Sequence, residues 1–218
     1  MRLIVLSALS LGLSAGVAMA DATVQSCNRT VTFDGPPERA ISNDVNLTEM
    51  MLVLGLADRM VGYTGVSGWK TLDEEMRAGV EALPELSAKY PSKEVIVGAD
   101  ADFFFAGWNY GMKVGGEVTP ETLEPFGVQV YELTESCTHI MDKGRASIDD
   151  MYTDLANLGA IFGVEDKAAA LIDGYKTELA SFTGDLEADD PPILLRQGHA
   201  CLSQVTRKTA GEIKVLDR

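Results

Sequence analysis

The chain has 218 residues, 46% of them hydrophobic, and a formal net charge of −15 at pH 7. This apolar fraction is enough for a folded core and excludes global disorder, and the length fits one large domain or two small ones. The acidic balance argues against nucleic acid and anionic lipid as partners, because both attract a basic protein face.

The first twenty residues have the pattern of a secretory signal peptide. Arg2 provides a positive start, Leu3–Leu13 an apolar stretch, and Ala18-Met19-Ala20 a small-residue cleavage motif before Asp21. The apolar stretch is too short for a permanent membrane span, and no later segment approaches 18 apolar residues. We therefore predict that residues 1–20 are removed and that the protein is periplasmic.

The mature chain opens with a predicted hairpin and a predicted strand–helix–strand unit. Thr23–Ser26 and Thr30–Phe33 flank the turn Cys27–Arg29, which indicates a hairpin. The unit that follows spans Ala40–Gly65, and its helix has one apolar face made of Leu47, Met50, Met51 and Leu54. A unit of this kind pairs its two strands in parallel.

The ends of this first helix are also predicted. Asn46 and Glu49 have the spacing of a capping box, and Gly55 stands where a left-handed cap ends a helix. The loop before the helix, Ser42–Asn46, then lies at the carboxyl end of a parallel strand. Ligands of open α/β sheets bind at such ends.

Strands and helices continue to alternate along the chain. We predict helices at Lys70–Val80 and Lys93–Ala99 and an irregular connection at Leu83–Ser92. We also predict a strand at Asp102–Ala106 that is buried on both faces, because its apolar run does not alternate. Further elements are a helix from Thr119 to Gly127, a strand at Val128–Leu133, and helices at Ser147–Gly163 and Glu165–Phe182. The order predicts a doubly wound α/β lobe followed by two helices.

The C-terminal segment differs from the rest in charge. Leu194–Arg218 contains five basic and two acidic residues and shows little amphipathic order. We interpret residues 187–218 as a disordered tail or as the remnant of a further lobe, cut short by truncation or a change of reading frame. A natural basic tail is the alternative.

Motifs for catalysis and for metal binding are poorly represented. The sequence has no G-x-S-x-G elbow, Walker A loop or G-x-G-x-x-G turn. Its two histidines, His139 and His199, are too few for a multi-histidine metal site. An exported α/β hydrolase-like enzyme stays an alternative, and it would require a nucleophile beside His139. We predict no cofactor and no enzymatic activity.

Polar and aromatic residues instead collect in loops after predicted strands. These loops are Ser42–Asn46, Tyr63–Trp69, Trp108–Tyr110 and Thr134–Ser136. Amide and hydroxyl groups orient a polar ligand, and aromatic rings provide contact area. The candidate ligand-binding residues are Asn43, Asn46, Tyr63, Trp69, Trp108, Asn109 and Tyr110. The alternative is that Trp69 and Trp108 simply cover the edge of the sheet.

Cys27 and Cys137 are candidates for a disulfide. An oxidising compartment permits the bond, but two separate buried thiols are an equally good reading of the sequence. No C-x-x-C spacing indicates a redox or zinc motif.

Four segments of the chain have the motifs and the order of a known family. They are Pro37–Ser42 with Glu49, Leu54-Gly55 and Asp58–Gly62; Glu94–Phe105; Leu123–Tyr131; and Ser147–Gly163. Together they resemble the type III periplasmic solute-binding proteins of ABC importers for ferric siderophores, haem and cobalamin. The resemblance covers about residues 23–186, and Ala101 stands where that family has a proline.

The resemblance implies a two-lobe protein that binds a small molecule between its lobes and delivers it to an inner-membrane permease. Residues 21–163 would then form the N-terminal lobe and residues 164–186 the linking helix, with the second lobe largely missing. Glu94 matches the carboxylate that such proteins present to the permease; the alternative is an ordinary glutamate in the first turn of a helix. We expect a monomer that carries an iron chelate, haem or a cobalamin-like ligand. A non-functional fragment of a binding protein is the other possibility.

Overall fold

The computed structural model describes residues 21–67 and 74–183. The predicted signal peptide, Trp69, the first residues of the helix predicted at Lys70–Val80, and the basic tail lie outside this part of the chain. None of the described helices combines the length and apolar character that crossing a bilayer requires.

The N-terminal hairpin is confirmed. Strands β1 (Ala22–Ser26) and β2 (Arg29–Phe33) pair antiparallel. The hairpin lies beside the edge of the main sheet, where the Gln129 side chain donates to the Thr32 carbonyl at 2.9 Å. It therefore covers an edge that would otherwise expose unpaired backbone groups.

The main sheet is parallel, as predicted, with the order β5-β4-β3-β6-β8 and the two-residue strand β7 set against the end of β6. Its strands are β3 (Ala40–Asn43), β4 (Met60–Thr64), β5 (Glu85–Ser87), β6 (Phe103–Trp108), β7 (Gly111–Met112) and β8 (Gln129–Glu132).

Six described helices accompany the strands, and 3₁₀ turns follow α4 and β8, at Glu124–Phe126 and Thr134–His139. The glycines predicted to end α1 and α5, Gly55 and Gly163, both have positive φ, and the capping box at Ser147 is present. The helices are α1 (Val45–Val53), α2 (Glu74–Val80), α3 (Lys93–Gly98), α4 (Pro120–Leu123), α5 (Ile148–Phe162) and α6 (Glu165–Thr183).

The core lies on both faces of the sheet, as the apolar run in β6 predicts. Phe103 and Phe105 pack into one core with α1, α5 and α6, while Phe104 packs into the other with α3 and α4. All three rings are fully buried. The alternation along one strand therefore supplies both layers of the doubly wound fold.

Two local predictions are wrong. Helix α1 begins at Val45 with Asp44 as its N-cap, because the Asp44 carboxylate accepts from the Val45 amide at 2.7 Å; the capping box predicted at Asn46 and Glu49 lies inside the helix. The connection predicted as irregular contains β5, which pairs with β4. The three residues of β5 show no apolar pattern, so pairing with β4 rather than local sequence makes them a strand.

A disulfide joins Cys27 in the hairpin turn to Cys137 in the 3₁₀ turn after β8, with a Cα–Cα distance of 5.3 Å. Cys137 is almost fully buried. The bond ties the N-terminal hairpin to the carboxyl end of the sheet across 110 residues of sequence.

Candidate ligand-binding site

The strand order places a reversal of winding beside β3. The chain moves outward from β3 through β4 to β5 and then returns to β6 on the other side of β3. Ligands of open α/β sheets bind outside the carboxyl ends of the strands at such a reversal. Asn43 ends β3 and Trp108 ends β6, so the loops that follow them flank this position.

Asn43 lies at the centre of this edge and is fully buried. Its Oδ1 accepts from the Thr64 hydroxyl at 2.9 Å, whereas its Nδ2 has no hydrogen-bond partner within the described residues. Gly65 and Gly111 pack against it so closely that a Cβ on either would lie within 3 Å of its side chain. Both glycines also have positive φ. A larger residue at either position is therefore disfavoured by its backbone conformation as well as by the contact with Asn43.

Tyr90 connects the loops after β3, β5 and β6, and it was not among the predicted site residues. Its hydroxyl donates to the Asn109 carbonyl at 3.1 Å, and 41% of its surface is exposed. Burial first, and then the Asp44 carboxylate, raise the pKa of Tyr90. The sequence feature that could have indicated Tyr90 as a site residue is its position as a lone aromatic residue before Pro91, in a connection predicted to be irregular.

Trp108 and the two residues after it have different environments. The Trp108 indole is buried and donates through Nε1 to Glu132 Oε1 at 2.8 Å. Asn109 is exposed in a left-handed conformation with φ 66°, and Tyr110 is half-buried against the first core. The structure thus brings the Asn109–Gly111 segment against Asn43 and turns the indole inward.

The environments of the remaining predicted site residues differ from one another. Tyr63 is buried in the first core, where burial and then Glu85 raise its pKa. Asn46 is half-buried in the first turn of α1, and Trp69 lies outside the described residues. Glu94 is exposed in the first turn of α3, and a hydrogen bond from the Ser92 side chain is the main cause that lowers its pKa.

Glu132 was not predicted, and its carboxylate accepts four hydrogen bonds near this edge. It is 1% exposed at the carboxyl end of β8. Arg29 pairs with its Oε2 at 2.8 Å, and the Ser26 hydroxyl donates to the same oxygen at 2.8 Å. A charged residue within the apolar stretch Val130–Leu133 was the available sequence signal.

The described part of the chain offers little for metal binding. Within residues 21–67 and 74–183, no group of three His, Cys, Asp or Glu side chains could hold a metal ion. His139 is exposed at the end of the 3₁₀ turn. The edge offers amides, hydroxyls and aromatic rings, which suit binding of a polar ligand.

Solved structures share this architecture. A periplasmic binding protein from Veillonella parvula matches with TM-score 0.65 and 24% identity over 78% of this chain and 56% of its own. An ABC-type Fe3+-hydroxamate transport protein from Saccharomonospora viridis matches with TM-score 0.59 and 29% identity over 73% of this chain and 54% of its own. The fold is that of a type III periplasmic solute-binding protein.

Staphylococcus aureus SirA, solved with staphyloferrin B, shares the fold at TM-score 0.56 and 17% identity, over 75% of this chain and 49% of its own. The chain therefore spans about half the length of the solute-binding proteins it matches, which have two lobes. No protein-family model matches the chain, and no curated protein matches it.

Proposed function

We propose that this chain supplies one wall of a periplasmic solute-binding site and serves an ABC importer. The observation that carries the proposal is the reversal of winding between β3 and β6, flanked by Asn43, Tyr90 and Asn109. The ligand is a small molecule of the iron-chelate, haem or cobalamin-like class. The solved relatives support this class, since their names include Fe3+-hydroxamate transport and a staphyloferrin B complex, and they are binding proteins rather than enzymes.

Within this proposal, residues 21–163 are the N-terminal lobe and α6 is the start of the helix that leads to a second lobe. Asn109 and Tyr110 contact the ligand, Asn43 holds the Gly65 and Gly111 backbones beneath them, and Asn46 and Trp69 are further candidates. The buried rings of Tyr63 and Trp108 support these contacts from beneath. After export to the periplasm, the protein works as a monomer.

Glu94 is proposed to meet the permease. The α3 crossover begins after the carboxyl end of β5, so Glu94 lies toward the same side of the sheet as the ligand loops. Its carboxylate is exposed, and the Ser92 hydrogen bond favours the charged form. Both properties suit an ionic contact with a basic surface.

The test is calorimetric titration of the chain with three probes: ferrioxamine B as a ferric hydroxamate, haemin, and cyanocobalamin. We expect one of them to bind and to raise the melting temperature, because a ligand that binds the folded state stabilises it. Absence of both heat and a melting shift with all three would refute the ligand class.

A matched pair of variants locates the binding edge. Tyr90→Phe removes the hydroxyl that donates to Asn109, whereas Tyr152→Phe removes a buried hydroxyl on α5 that has no hydrogen-bond partner among the described residues. We expect Tyr90→Phe to weaken probe binding about fivefold, corresponding to about 1 kcal/mol. Tyr152→Phe should leave the affinity unchanged, and equal effects would place the ligand elsewhere.

A further inference from the structure

The orientation of Trp108 is set by two hydrogen bonds to the carboxyl end of β8 and the turn after it. Its backbone amide donates to Ser136 Oγ at 2.9 Å, and its indole Nε1 donates to Glu132 Oε1 at 2.8 Å. Since the indole is only 6% exposed, water offers no ready substitute for the carboxylate. The direction of the indole therefore depends on Glu132.

Glu132 is in turn held by the N-terminal hairpin. Arg29 donates through Nε and Nη2 to Oε2 at 3.0 and 2.8 Å, and Ser26 donates to the same oxygen at 2.8 Å. The backbone amide of Glu132 also donates to Ser26 Oγ at 2.9 Å. A buried carboxylate is costly without a counter-ion, so Arg29 is what allows a charged acceptor beneath Trp108.

The turn after Trp108 transmits this orientation to the edge of the sheet. Gly107 and Tyr110 exchange two backbone hydrogen bonds of 2.8 Å, and the Asn109 amide donates to the Met112 carbonyl at 2.7 Å. This tight turn presents Gly111 to the Asn43 side chain. The indole, held at Nε1 by Glu132, anchors the first residue of this turn.

We propose that Glu132 is a positioning residue for the ligand edge, which fixes the Trp108–Gly111 turn through the indole, with Arg29 as its counter-ion. The sequence separation is large: a residue of the N-terminal hairpin sets a loop about 80 residues further along the chain. The relevance of this role to binding rests on the proposed function, whereas the positioning itself does not.

The test follows the indole N–H signals of the chain by ¹⁵N NMR. The chain has two tryptophans, so the signal that disappears in Trp108→Phe identifies Trp108. Glu132→Gln keeps an acceptor oxygen but loses the charge, and Glu132→Leu loses both. We expect the Trp108 indole signal to shift upfield and its exchange with water to accelerate at least tenfold in Glu132→Leu, with a smaller change in Glu132→Gln.

Tyr131→Phe is the control, because it removes a buried hydroxyl from the neighbouring residue, which packs into the core on the other face of the sheet. It should leave the indole signal in place. Arg29→Met provides the same test without altering Glu132, and it should shift the indole signal as well. An indole signal unchanged in Glu132→Leu, or unchanged in both Glu132→Gln and Arg29→Met, overturns the proposal.

The two proposals fail in different ways. If no probe binds the parent chain while the indole signal moves in Glu132→Gln, the ligand class is wrong and the positioning role stands. If a probe binds the parent, Glu132→Gln should weaken it at least threefold. An unmoved indole signal with unaltered probe affinity overturns the positioning role alone.

Discussion

Two carboxylates lie fully buried near the carboxyl end of β8, and the fold accommodates them in opposite ways. Glu132 meets the Arg29 guanidinium and the Trp108 indole. Asp154, on α5, accepts from the hydroxyls of Tyr131 and Thr134 at 2.8 and 2.6 Å and has no cationic partner within the described residues. Burial raises the pKa of Asp154 to about 7, although its hydrogen bonds oppose this.

The difference follows from the alternation along one strand. Tyr131 contributes to the core beneath α5 and directs its hydroxyl to Asp154, while the next residue, Glu132, contacts Trp108 in the core on the other face. Only the Glu132 side is reached by the hairpin arginine. A buried carboxylate with a cation positions its neighbours, whereas one with neutral donors becomes sensitive to pH near neutrality.

The largest effect on the free energy of unfolding should come from removing the disulfide, which holds the hairpin that carries Arg29. Replacing Cys27 and Cys137 by serine should lower the free energy of unfolding by about 4 kcal/mol, because the bond closes a loop of 110 residues. Urea denaturation measures it. A reducing agent should lower the stability of the parent chain similarly and leave the double variant unchanged; an equal response in both would contradict the prediction.

Arg29→Met should remove the counter-ion of Glu132 and cost about 3 kcal/mol, since it leaves a charge buried and unpaired. The control is Arg59→Met, whose partner Glu38 is 3.9 Å away and largely exposed. Loss of that surface pair should cost less than about 0.5 kcal/mol. Similar losses in the two variants, measured by denaturation at pH 7, would show that Glu132 does not depend on its cation.

Asp154→Asn tests the buried carboxyl group that has no cationic partner within the described residues. The folded state holds the Asp154 proton up to about pH 7, whereas the unfolded chain releases it near pH 3.8. The contribution of this group therefore falls as pH rises from about 4 to about 7 and is level above that. Asparagine cannot ionise, so the free energy of unfolding of the variant, relative to that of the parent, should increase by about 2 kcal/mol between pH 5 and pH 8.

The introduced side-chain amide would face the Thr134 N–H, which now donates to the carboxylate at 3.1 and 3.3 Å, and this contact lowers the stability of the variant equally at both pH values, so it does not alter the pH-dependent gain. Denaturation curves at pH 5 and pH 8 measure the difference. A constant stability difference between the two proteins at both pH values would show that Asp154 does not titrate in this window.

Tyr131→Phe should have the smallest effect, about 1 kcal/mol at pH 8, since one of the donors to Asp154 is lost. The loss should shrink at pH 5, where the carboxyl is protonated in the folded state. Thermal unfolding at the two pH values measures it. A loss that grows as pH falls would contradict the assignment of Asp154 as the buried acid.

Much of the fold was predictable because its signals are local. The capping box at Ser147 and the glycine at position 163 delimit α5 within the sequence itself, and the run Phe103–Phe105 predicts a strand buried on both faces. The edge strand β5 was missed because its three residues carry no pattern, and pairing with β4 alone defines it.

The site was predictable only as a set of loops. Asn43 and Asn109 are polar residues after strands, which a sequence reveals, but the contact of Gly111 with Asn43 joins positions far apart in the chain. Tyr63 carries the same chemistry as Tyr90, yet one is buried in the core and the other exposed at the edge. Composition cannot separate them, because Tyr63 lies within the buried strand β4 and Tyr90 in the loop after β5, and only the fold decides which ring is covered.

By itself, then, the sequence determined the alternation of strands and helices, the buried β6, the glycine ends of α1 and α5 and the resemblance to solute-binding proteins, because these depend on neighbours a few residues apart. The tertiary structure alone decided which side of β3 the chain returns to, and therefore where the edge lies. It also decided that Arg29 reaches Glu132 while Asp154 meets only neutral donors. A buried charge is defined by what surrounds it, and those surroundings come from distant parts of the chain.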